Sequence, residues 1–156
     1  MANSYLQFSF MAFEKITAAE RLWLEEREDS TWWETNHEEE YMGFSMEVEK
    51  GDILWIWAEE SGFVDNVAWL IRHFLARFRP RDHVVFEWAY FCDKLRLDEF
   101  GGGACLVTAK SEVFFHPLTM AEQYAQDGES HPHVADYGDA GDRLREIVDE
   151  DPDTST

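Results

Sequence analysis

"GFSMEVEKGDILWIWAEESGFVDNVAWLIRHFLARFRP", residues 43–80, changes its hydrophobic period once, and that change sets the fold. Phe44, Met46 and Val48 alternate with Ser45, Glu47 and Glu49, the period of two that marks a half-buried strand. Lys50-Gly51 supplies a turn, and Ile53 to Ala58 returns, so the segment reads as a hairpin. The return strand is apolar on both faces, which predicts a place in the interior of the sheet. From Val64 the period lengthens. Val64, Val67, Ala68, Ile71, Phe74, Leu75 and Phe78 recur at helical spacing, with Asp65 in the first turn, Arg77 and Arg79 in the last, and Pro80 as the stop.

The flanks extend this pattern. Leu6, Phe8, Phe10 and Ala12 share one face of an N-terminal strand. Thr17 and Glu20 have capping-box spacing, and the helix they open runs to about Asp29, with Leu22 and either Trp23 or Leu24 inward. "DSTWWETNHEEEY", residues 29–41, reads as a polar connection. After Pro80, "HVVFEWAYFC" is a strand, "FGGGACLVTA" and "SEVFFHP" are two shorter ones, and "LTMAEQYAQ" is a short helix. The predicted class is α+β: a mixed or antiparallel sheet with two main helices on one face. The first six elements follow the β-α-β-β-α-β, ferredoxin-like order, and an extra hairpin and a C-terminal helix follow. Residues 1–126 form the predicted domain. Residues 127–156 form an acidic tail, in which Leu144, Ile147 and Val148 can make one short docked helix, aided by Arg143 and Arg145.

At 156 residues, with 45% apolar and 15% aromatic side chains, the chain can bury a real core and does not read as disordered. No apolar run approaches the roughly 20 residues of a membrane span. The N-terminus has no basic region before its apolar part, so it does not read as a signal peptide. Cys92 and Cys105 are too few for a disulfide scaffold, and a cytoplasmic location is expected.

Net charge is −20, and it is segregated. Residues 20–60 hold 14 acidic and 3 basic side chains, residues 120–156 hold 11 and 2, and residues 61–119 balance 7 against 7. Such a chain repels phosphates, so direct binding to nucleic acid or to an anionic membrane is disfavoured and a basic protein partner is favoured.

One stretch carries a likeness. "FLARFRPRDHVVFEWAYFCDKLRLDEFGGGACLVTA", residues 74–109, pairs an aromatic-Glu-Trp-Ala strand with a following Cys and a Phe-Gly-Gly-Gly-Ala run. It resembles a family of small uncharacterised bacterial proteins, with weaker likeness at "LWIWAEESG", over about half the chain. The resemblance implies a bacterial or mobile-element origin and carries no assigned activity.

Candidate chemistry is sparse. Gly101 to Gly103 lead into a strand, and Asp98 and Glu99 precede them, so they suit a hairpin bend or bulge better than a phosphate cradle. Cys92 falls in phase with Val84, Phe86, Trp88 and Tyr90, a core phase, and no base is placed beside it. Glu87 shares its face with Val85, Ala89 and Phe91, where a structural ion pair with Arg72, Arg77 or Arg96 is expected. A small enzyme or ligand-binding domain with a pocket around Glu87 and Cys92 is one alternative. His131, His133 and Asp136 have metal-ligand types, but in a Gly- and Asp-rich tail. No metal or cofactor is expected.

The leading expectation is a binding surface. Trp32, Trp33, Glu34, Glu38, Glu39, Glu40, Glu47, Glu49 and Asp52 place aromatics among carboxylates. Carboxylates there replace phosphates in steering towards Lys and Arg, and aromatics stack on guanidinium groups. Small DNA-mimic inhibitors of the anti-restriction, anti-CRISPR and nuclease-immunity types have this charge and size. A structural domain with merely solubilising acidic segments is the other alternative.

Overall fold

The hairpin and the long helix form where the periodicity puts them. The computed structural model describes residues 3–37, 42–94 and 100–127. Its elements are β1 (Ser4–Phe13), α1 (Ala18–Arg27), α2 (Ser30–His37), β2 (Ser45–Glu49), β3 (Ile53–Ala58), α3 (Val64–Phe78), β4 (His83–Cys92), β5 (Phe100–Thr108), β6 (Glu112–Phe115) and α4 (Pro117–Asp127). The chain divides into two units, Met1–Thr119 and Met120–Thr156; the sheet and α1 to α3 belong to the first. No helix among the described residues is long and apolar enough to cross a membrane.

The sheet is antiparallel throughout, in the order β2-β3-β1-β4-β5-β6. β1 and β2 both run antiparallel to β3, which lies between them, and β3 and β4 both run antiparallel to β1. That is two interlocked split βαβ units, the ferredoxin-like order expected, with β5 and β6 added beyond β4. β3 is interior, as its apolar sequence required.

α1 and α3 feed one core. Phe8, Leu54, Ile56, Val84, Phe86 and Val107 from the sheet meet Leu24 of α1 and Ile71, Phe74 and Leu75 of α3. Burying each such side chain contributes about 1.5–3 kcal/mol. A register shift between Met11 and Phe13 on β1 turns Phe13 inward against Phe74, ring centroids 4.3 Å apart. Leu22, expected inward, is 67% exposed, and Leu24 takes that place.

Two readings are corrected. Residues 30–37 are the helix α2, not a connection. The Asp29 carboxylate accepts from the Thr31 amide and opens it, and the pull of an indole towards the core holds it. The glycines of β5 are neither bend nor bulge: Gly101, Gly102 and Gly103 pair in unbroken register with Tyr90, Ala89 and Trp88. A Cβ on Gly103 would lie 2.4 Å from the Trp88 ring, and one on Gly102 2.5 Å from the Trp88 carbonyl oxygen. Glycine stands at 103 because the Trp88 indole lies across it, and at 102 because the Trp88 backbone approaches closely.

The capping box forms as expected: the Thr17 hydroxyl accepts from the Glu20 amide, and the Glu20 carboxylate accepts from the Thr17 amide. Glu20 also receives Arg79, from Nε at 2.9 Å and from Nη2 at 3.1 Å. Arg79 Nη2 donates further to the Glu14 carbonyl at 2.9 Å, beside Lys15, whose φ of 57° is left-handed. Burial pushes the Glu20 carboxyl up, but the Arg79 pair and the Thr17 bonds outweigh it and hold the carboxyl below the ordinary 4.5. Its stabilisation is therefore complete above about pH 4.5 and is lost as pH falls through the depressed value.

Arg79→Met should cost about 3 kcal/mol at pH 7, because it leaves a buried carboxylate unpaired. The deficit should shrink on acidification, since protonation relieves the orphaned Glu20. Urea melts of both proteins at pH 7 and pH 3.5 read this directly. A deficit that stays constant with pH would show that Arg79 acts by packing alone.

Candidate functional site

The face of the sheet away from α1 and α3 is built by the alternate residues of each strand. Ser45 pairs with Trp57 and Trp57 with Ser9; Glu47 pairs with Trp55 and Trp55 with Met11. Gln7 pairs with Ala89, Tyr5 with Phe91, and Glu87 with Ala104. At the β2–β3 side, Trp55 and Trp57 stack on each other with centroids 3.8 Å apart and planes 17° from parallel. The Trp55 indole nitrogen donates to Ser9 Oγ at 2.8 Å, which fixes the ring. The described strand residues of this face include Glu47, Glu49 and Glu87 and neither Lys nor Arg.

Three hollows meet at the end of β3. One, about 460 Å³, is lined by Trp55, Trp57, Gln7, Ser9 and Glu59. A second, about 440 Å³, runs between Glu28, Gly43, Ser45 and Glu59. A third, about 280 Å³, is walled by Trp57, Glu47, Glu25 and Glu28, with Arg21 at its side. Trp57 borders the first and third, Glu59 the first and second, and Glu28 the second and third. Arg21 is engaged by Asp52 at 3.1 Å. The Glu28 carboxyl is raised by burial and then by the nearby Glu25 and Glu47 charges.

The predicted site residues divide. Trp33 is a core residue, 0% exposed, and its indole nitrogen donates to the Arg27 carbonyl at 2.7 Å. It cannot present a surface, because its large apolar area is worth most when dry. Trp32 is half-buried and covers the Arg27 guanidinium at 4.5 Å, with Trp23 also against that group at 3.7 Å. Glu34, Glu47, Glu49 and Asp52 are exposed, and Asp52 is spent on Arg21. Glu38, Glu39 and Glu40 lie outside the described residues, as do Arg96, the His131–Asp136 cluster and the Leu144–Val148 segment. Sequence reasoning missed Trp55 and Trp57, whose surroundings read as a doubly buried strand. The available signal was the alternation of Trp55 and Trp57 with Leu54 and Ile56, opposite Glu47 and Ser45.

Glu87 is exposed and forms no ion pair with a described residue; Arg72 pairs instead with Glu112 at 3.1 Å. The expected pairs with Arg72 and Arg77 of α3 do not form because Glu87 points to the opposite face; Arg96 lies outside the described residues. Cys92 is half-buried rather than a core residue, its thiol 3.8 Å from Asp93 Oδ1. Burial pushes the Cys105 thiol up to about 12, which leaves it inert as a nucleophile. Neither Glu87 nor Cys92 lines any of the three hollows. No family model matches the chain, and neither a curated protein nor a solved structure matches it.

Glu28→Gln should raise the melting temperature at pH 7, because it removes a carboxylate whose charge is disfavoured by burial and then by Glu25 and Glu47. The sign follows from the raised carboxyl: the penalty exists only where Glu28 is ionised in the fold. The gain should vanish below about pH 4.5, where the unfolded carboxyl is protonated too. Thermal melts at pH 7 and pH 3.5 test it. An equal gain at both values would mean that Gln stabilises through packing or capping instead.

Proposed function

We propose that the chain is a non-catalytic binding protein that mimics nucleic acid. It presents carboxylates around a tryptophan pair to the basic cleft of a nucleic-acid-handling protein and blocks that cleft. The observation that carries this reading is the helix-free β2–β3 face, where the half-buried Trp55 and Trp57 stack beside exposed Glu47 with no Lys or Arg in the described strands of that face. Glu25, Glu28 and Glu59 extend the same negative field around the edge of β2.

Fixed carboxylates suit this task. Like phosphates they accept bidentate guanidinium bonds and steer basic partners over distances near a Debye length, about 8 Å at physiological salt. The strands fix where Glu47 and Glu49 are anchored, so no backbone ordering is needed there on binding. The stacked indoles supply the flat apolar surface that bases would offer in DNA. The segregated charge fits the same role: residues 61–119 are neutral, so the field has a direction.

Glu47→Lys with Glu49→Lys tests it. Both residues are exposed on an edge strand, so the fold and its cooperative melt should survive. Affinity for a basic nucleic-acid-binding partner should fall by roughly tenfold or more, mainly through slower association, and the salt dependence of binding should flatten. Surface plasmon resonance at several NaCl concentrations reads both. An unchanged affinity with an unchanged salt slope would place the interface elsewhere.

A further inference from the structure

The hollow of about 460 Å³ over the centre of the open face has a chemistry of its own. Trp55 and Trp57 form its aromatic wall, Ala89 is small enough to leave depth, and Gln7, Ser9 and Glu59 supply its polar atoms. Some donors there are already spent: the Trp55 indole nitrogen on Ser9 Oγ at 2.8 Å, and Gln7 Nε2 on the Glu59 carbonyl at 2.7 Å. What is left is rich in acceptors: the Glu59 carboxylate, the Gln7 amide oxygen and the Ser9 hydroxyl. Glu47, opposite Trp55, and Glu87, two residues along β4 from Ala89, add negative charge to the same face.

We propose that this hollow is a subsite for an arginine side chain of the partner. The inference rests on the mimic reading above and names the group that reading would recognise first. A guanidinium is a planar cation with five donors and no acceptor, so it matches an acceptor-rich hollow. It stacks on an indole and forks onto a carboxylate at once. A lysine ammonium is compact and strongly hydrated, and it gains little from a flat aromatic wall. The fold already uses this recognition inside itself: Arg27 lies against Trp23 and Trp32, and Arg79 joins Phe13 to the Glu20 carboxylate.

The test compares nona-arginine with nona-lysine, equal in charge, by titration calorimetry at physiological salt. Nona-arginine should bind the wild-type chain about fivefold tighter or more. Trp57→Leu should bring the two peptides within about twofold, chiefly by weakening nona-arginine, and Glu59→Gln should weaken both. Should Trp57→Leu fail to fold, the wild-type indole N–H resonances decide: nona-arginine must shift those of Trp55 and Trp57 and leave that of the buried Trp33 in place. Equal affinity for the two peptides, or shifts away from Trp55 and Trp57, would overturn the arginine subsite and leave the acidic-surface reading standing. Failure of both peptides to bind would overturn both.

Discussion

The pairing of Arg79 with Glu20 is the constraint on which the arrangement depends. Glu20 sits in the first turn of α1 and Arg79 just past the end of α3, 59 residues apart in the chain. A carboxylate with 4% of its side chain exposed costs several kcal/mol to desolvate, and only an opposed, hydrogen-bonded cation offsets that. The same guanidinium takes the Glu14 and Lys15 carbonyls and covers the Phe13 ring at 5.1 Å. One side chain therefore ties the end of β1, the start of α1 and the end of α3 together. Both helices are held to one face of the sheet.

That choice decides what the other face can do. Neither α1 nor α3 covers it, so its residues answer to solvent and partners rather than to the core. Half of it is apolar and aromatic, with Tyr5 stacked on Phe91 and Val85 61% exposed; the β2–β3 side is aromatic and acidic. Burial, and then the nearby Glu25 and Glu47 charges, put a cost on ionised Glu28 there. An incoming cation would relieve it, which is how a surface comes to favour a basic partner over water.

Much of the architecture was legible in residues 43–80, because a change of period from two to 3.6 has few structural solutions. The capping box, the long helix and the β-α-β-β-α-β order followed from local chemistry. The site was less legible. Trp33 and Trp55 are both tryptophans near glutamates, and sequence alone does not say which is dry. Trp33 goes inside because α2 forms and turns it towards Phe44 and Trp69. Trp55 stays at the surface because strand alternation gives the core to Leu54 and Ile56. Gly102 and Gly103 were illegible for a similar reason: the Trp88 carbonyl and indole that they accommodate arrive from a neighbouring strand.

On the mimic proposal, this face occupies the place of nucleic acid on a basic protein. Equilibrium competition tests it most directly. A basic protein captured on the immobilised chain is bound to a fluorescent DNA duplex, and the free chain is titrated in while anisotropy is followed. The account predicts full displacement of the duplex at a stoichiometric amount of wild-type chain. A ternary complex in which the duplex stays bound at saturation would contradict it.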